Sequence, residues 1–199
     1  MQVKYRKTSV SVTFPFIATV TLMLILCEEE IVLVSVFSSF FHEMGHLLFL
    51  MIFSAPPSLI IFGAFGIRIE RNSDILLNFK KEALVSLGGI FANCLLAVCG
   101  LLFYTVYNSI FGAQLFAVNV FIAAFNMLPV RLLDCGRFLE CILGAAFSFE
   151  KSEKLMSVIS LATVVFIVIL CLLYNIFVSF NISFIAVCVY IILITTLKE

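Results

Sequence analysis

Two histidines occur in the 199 residues, and both lie in the stretch Phe40-Phe41-His42-Glu43-Met44-Gly45-His46-Leu47. His-Glu-x-x-His on a helix puts the imidazoles one turn apart on one face, where both can ligate a single metal ion. Glu43, beside them, is placed to act as general base on a metal-bound water. Polar groups in so apolar a run cost free energy unless they are paired. A polar cluster satisfied between helices is therefore the other reading of the same three residues. A tetrahedral catalytic zinc needs a third protein ligand and leaves one position for water. There is no third histidine, so a carboxylate at membrane depth is required. The run from Asn126 through Pro129 to Asp134 delivers Asp134 at the end of an apolar segment. A solvated aspartate at a helix end is the alternative for that residue.

The elements that must hold these groups are membrane helices. The chain is 63% hydrophobic and 12% charged, with a mean hydropathy of +1.22, whereas soluble domains are typically about 25% charged. The net charge of zero says little about partners, and with no basic face alternating with aromatics nothing points to a nucleic-acid partner. Apolar runs long enough to span a bilayer fall at 9–26, 31–53, 83–106, 114–131, 156–174 and 178–197. The expected fold is an all-α polytopic membrane protein with six transmembrane helices, in one integral-membrane domain over 1–199 with no appended soluble domain. The first run follows a basic start but has no small-residue cleavage site, so it reads as a membrane helix. With a cytosolic N-terminus, all 12 Lys and Arg fall in the N-terminal segment, the alternate loops and the C-terminus on the cytosolic side, which is the positive-inside bias. Both termini are then cytosolic and the site opens to the cytosol.

Residues 56–82 are too polar to span and too apolar for a linker. Partial alternation in Gly66-Ile67-Arg68-Ile69-Glu70 and a turn signal at Asn72-Ser73-Asp74 predict a small membrane-surface β-hairpin between the second and third spans. Residues 134–154 have the mixed pattern of a re-entrant or interfacial helix. The seven cysteines show no zinc-ribbon spacing and read as small apolar fillers.

His42–His46, the run Ser86-Leu87-Gly88-Gly89-Ile90-Phe91-Ala92-Asn93 and the run Asn126–Gly136 together resemble the site-2 protease family of intramembrane zinc metalloproteases, nearest the compact stage IV sporulation protease branch. The resemblance covers nearly the whole chain. It implies one Zn2+ per chain held by His42, His46 and Asp134, with Glu43 as catalytic base, in a multi-pass protein of a bacterial cell membrane. It also implies a membrane-associated protein substrate, either a sporulation sigma-factor precursor or an anti-sigma factor, with the regulation that a nucleotide-sensing domain gives such relatives either missing or supplied in trans by membrane partners. Two features depart from the family pattern. Cys135 stands where a glycine is common, as a packing substitute or a competing thiolate ligand, and Leu132 stands where a second proline is frequent.

Gly88, Gly89 and Ala92 have the spacing that lets membrane helices approach closely. Asn93 and Asn126 are amides in apolar surroundings. Each is either a packing group or a hydrogen-bond donor to the substrate backbone or the developing oxyanion. Pro129 is expected to break the fourth helix, turning Asp134 towards the metal. The substrate segment must unwind to be cut, and adding a strand to the 56–82 hairpin is one way to hold it extended. A metal-binding but inactive membrane scaffold is the competing function.

Overall fold

β-branched residues alternating with serine in Thr8-Ser9-Val10-Ser11-Val12 favour a strand. The computed structural model, which describes residues 2–5, 8–26, 29–63, 66–71, 77–177 and 189, has strand β2 there, Thr8–Val12, after β1, Gln2–Tyr5. Strands β3, Pro57–Gly63, and β4, Gly66–Arg71, form an antiparallel hairpin between the second and third apolar segments, as expected, but they close at the Gly63–Gly66 pair; the expected turn at 72–74 lies outside the described residues. β2 pairs in parallel with β3, Ser9 opposite Leu59 and Val12 opposite Phe62. The hairpin is thus half of a four-stranded sheet in the order β1-β2-β3-β4. Thr13 fastens the join, its hydroxyl and its backbone N–H both donating to the Phe62 carbonyl, at 2.8 and 3.1 Å. The expectation of a membrane helix starting at residue 9 is corrected here. Helix α1 covers only Phe14–Leu26, 13 residues, because the pairing partner of 8–12 lies some fifty residues away and hydropathy alone does not reveal it.

The chain divides into two compact units, 1–125 and 126–199. The first holds the sheet, α1, α2 (Glu29–Ile52), α3 (Phe79–Tyr107) and nearly all of α4 (Ile110–Asn126). Its centre is the packing of α2 on α3 through small residues. A Cβ on Gly45 would overlap the Gly88 carbonyl, and one on Gly88 would stand 2.6 Å from the Gly45 carbonyl oxygen. Only glycine permits so close an approach. Each helix buries one stripe: Val34, Ser38, His42 and Gly45 on α2, Ser86, Ile90, Asn93 and Ala97 on α3, and Leu115, Asn119 and Ala123 on α4. The remaining faces are strongly apolar and exposed, as lipid contact requires.

The second unit holds α5, Asp134–Ala146, and α6, Phe149–Phe177. α6 begins earlier than the expected span at 156, so residues 149–154 belong to it and not to the interfacial helix. Arg131 ties the two helices, meeting Glu140 of α5 at 2.6 Å and Glu153 of α6 at 3.5 Å.

Among the described residues, three helices are long and apolar enough to cross a membrane: α2, and α3 and α6 with 29 residues each, about 43 Å at a rise of ~1.5 Å per residue. α1 and α4 are apolar and shorter. The expected sixth span at 178–197 lies outside the described residues. The protein is a membrane protein by these helices and their apolar surfaces.

Candidate metal centre

The glycine contact brings α3 against the face of α2 that carries both histidines, and α3 then supplies an anchor for each ring. His46 Nδ1 lies 2.7 Å from the Val85 carbonyl oxygen. A carbonyl only accepts, so Nδ1 carries the hydrogen and Nε2 is left with a lone pair. His42 Nδ1 lies 2.5 Å from Asn93 Oδ1. The orientation of that amide is set by the next residues in the network. Asn119 Nδ2 donates to the Leu115 carbonyl at 2.8 Å and to Ser38 Oγ at 2.9 Å. Its Oδ1 is thereby turned to accept from Asn93 Nδ2, at 2.7 Å. The Ser38 carbonyl, at 3.4 Å, also faces that donor. Asn93 must then present oxygen to His42, and His42 Nε2 also keeps a lone pair.

The two Nε2 atoms face each other at 3.3 Å, with the rings nearly perpendicular at 86°. With each Nδ1 held by a group on α3, both Nε2 atoms are turned to the same point, where neutral rings could ligate one cation. Two bonds of ~2.0–2.1 Å to a tetrahedral zinc hold their nitrogens about 3.3–3.4 Å apart. The donor set therefore fits zinc by tautomer and by spacing. Space for the ion is kept by Gly89, where a Cβ would stand 2.5 Å from both His42 Cε1 and His46 Nε2.

Glu43 follows His42 directly on α2 and is half-buried. Asn93 is fully buried with its amide turned to His42, Asn119 and Ser38. Asn126 is the last residue of α4. In the second unit α4 has ended before Pro129, and a tight segment leads into α5, with Val130 N–H on the Leu128 carbonyl and Leu133 N–H on the Val130 carbonyl. Asp134 opens α5 and is buried. Its carboxylate sits in the first turn, where the helix dipole favours negative charge.

The Asp134-Cys135-Gly136 departure has a local explanation. A Cβ at Gly136 would overlap the Val130 carbonyl, so that glycine is required by the turn, whereas Cys135 is only partly buried. Burial, and then the neighbouring charge of Asp134, raise the Cys135 thiol above its ordinary pKa. Both effects favour the protonated thiol in the metal-free protein.

No protein-family model and no curated protein matches the sequence. Among solved structures, a site-2 protease from Methanocaldococcus jannaschii matches with a TM-score of 0.68 over 96% of this chain and 91% of that one, at 18% identity. The chain has the site-2 protease fold. The resemblance carried by the motifs around His42, Asn93 and Asp134 is thus met by the whole course of the backbone. Within the site-2 protease fold, the histidine anchors Val85, Asn119 and Ser38 were not singled out from sequence. A carbonyl leaves no sequence signal, but Asn119 does leave one: it is an amide on the buried stripe of an apolar helix.

Proposed function

We propose that this protein is an intramembrane zinc metalloprotease that hydrolyses a peptide bond in or near a membrane-embedded segment of a protein substrate. The observation that carries the reading is the pair of imidazole Nε2 atoms 3.3 Å apart, the separation expected of two ligands on one tetrahedral zinc, with both Nδ1 atoms already held by α3.

His42 and His46 supply two ligands and Asp134 the third, a donor set of two nitrogens and one carboxylate oxygen that suits a single divalent ion. Zinc held there supplies Lewis acidity towards the scissile carbonyl and a water of lowered pKa, towards ~7. Glu43 takes a proton from the attacking water and returns it to the leaving amine. Asn93 acts on His42, keeping Nε2 unprotonated and aimed, and not on the substrate, because its amide is already used. Asn126 remains the candidate donor to the substrate backbone or the oxyanion. β4 is an edge of the sheet and offers unpaired backbone groups to a substrate strand unwound from its helix. The substrate class is a membrane-anchored regulator, such as a sporulation sigma-factor precursor or an anti-sigma factor. The enzyme is a six-span protein of a bacterial membrane with cytosolic termini.

Purified protein in detergent should contain one zinc per chain. Removing it with a chelator should abolish cleavage of a single-span reporter substrate, and adding zinc back should restore it. Cleavage that survives complete removal of the metal contradicts the reading. Cysteine labelling should place residues 70 and 140 in the cytosol and residue 110 outside.

A further inference from the structure

We infer that Asn119 is a positioning residue for the metal centre, acting through Asn93 on the tautomer of His42, with Ser38 as its own anchor. The inference rests on His42 being a metal ligand. Asn119 touches neither histidine in this network; its reach is through orientation. The side chains of Ser38, Asn93 and Asn119 are all fully buried, at 0% exposure, so no water competes for their hydrogen bonds.

An asparagine amide can flip by 180° about its last torsion at little steric cost, so Asn93 alone does not determine which of its atoms meets His42. With the oxygen inward, His42 Nδ1 donates and Nε2 is a ligand. With the nitrogen inward, His42 Nδ1 must accept, the hydrogen moves to Nε2, and the metal face of the ring is blocked.

Asn119 removes that ambiguity. Its Nδ2 donates to the Leu115 carbonyl, a group that only accepts, and to Ser38 Oγ. Its oxygen is therefore the one atom left for Asn93, at 2.7 Å, and it demands a donor there. A flipped Asn93 would set oxygen against oxygen in a site without water, and would set its oxygen against the Ser38 carbonyl as well. Polarity thus runs in one direction from a backbone carbonyl on α4, through two amides, to the imidazole on α2. Groups that orient a metal-ligating histidine are commonly worth 10–100-fold in metal affinity, and one further link should keep the lower end of that range.

The test is a Co2+ titration of the metal-free full-length protein in detergent, following the visible absorption of the bound ion, for Asn119→Leu, Asn93→Leu, the double variant and His42→Ala. The expected result is about 10-fold weaker Co2+ binding in Asn119→Leu with an altered absorption spectrum. The double variant should bind no more weakly than Asn93→Leu alone, because the two residues act in series. Asn119→Leu affinity equal to that of the unmodified protein, or additive losses in the double variant, would overturn the inference. If Asn119→Leu does not fold, Ser38→Ala decides: it removes only the hydroxyl anchor and should weaken Co2+ binding measurably, whereas unchanged affinity would overturn the inference. His42→Ala separates the two levels of the argument. If Co2+ binding survives in it, the metal-site reading itself fails; if it is lost while Asn119→Leu binds normally, only the role of Asn119 fails.

Discussion

Polar side chains serve opposite ends in two regions of this molecule. On the buried stripes of α2, α3 and α4, Ser38, His42, Asn93 and Asn119 form a hydrogen-bonded chain in which each link orients the next. In the second unit Arg131 meets Glu140 and Glu153 with its side chain 49% exposed. The first network is sealed from water, where an unmatched donor or acceptor costs about 1–3 kcal/mol, and so it specifies orientation. The second is bathed in water, where ion pairs are screened and add about 0–1 kcal/mol, and so it ties helices without specifying chemistry. Burial, more than charge, separates a group that positions from a group that merely holds.

That contrast can be broken by substitution, and the largest effect is expected at the histidines. His46→Ala removes one of the three proposed protein ligands. If ~10–16 kcal/mol of metal binding is shared over the ligands, zinc affinity should fall about 10³-fold. Elemental analysis after dialysis against a weak chelator measures it; a zinc-replete His46→Ala would remove this residue from the centre.

Gly89→Ala should come next. Its Cβ would meet His42 and His46 on the side proposed to hold the ion, so zinc content should drop while the helices stay intact by circular dichroism. Normal metal with normal stability would show that the cleft has slack not evident from the contacts.

The smallest effect should be at the ion pairs. Arg131→Ala should leave zinc content unchanged and lower stability by less than about 1 kcal/mol, an effect that fades further in high salt. A loss of several kcal/mol in detergent unfolding would mean that the exposed network does more than hold α5 near α6.

The legibility of these regions in the sequence follows the same physical division. His-Glu-x-x-His is local, so its spacing alone put two imidazoles on one helix face, and the hairpin was legible as an element because it is local too, although its strands close at the Gly63–Gly66 pair and not at the turn signal read at 72–74. What stayed hidden was non-local. The parallel pairing of β2 with β3 joins residues far apart in sequence, and an apolar run that included 9–13 read as one continuous helix. Asn119 in Ala117-Val118-Asn119-Val120-Phe121 shows an amide in an apolar helix but not its partners. The role of Asn93 changed for the same reason, since only its neighbours reveal that its amide is already committed. Gly88 and Gly89 looked interchangeable, yet one closes the helix crossing and the other opens the ion's side.

Proteolysis as opposed to mere metal binding turns on Glu43. Glu43→Gln keeps size and hydrogen bonding and cannot accept a proton as a base. Purified, folded Glu43→Gln, assayed with its zinc content measured on the same sample, should hold one zinc per chain and cleave a membrane-spanning reporter about 10²–10⁴-fold more slowly than the unmodified protein. Near-normal cleavage with zinc bound would contradict the proposed general base.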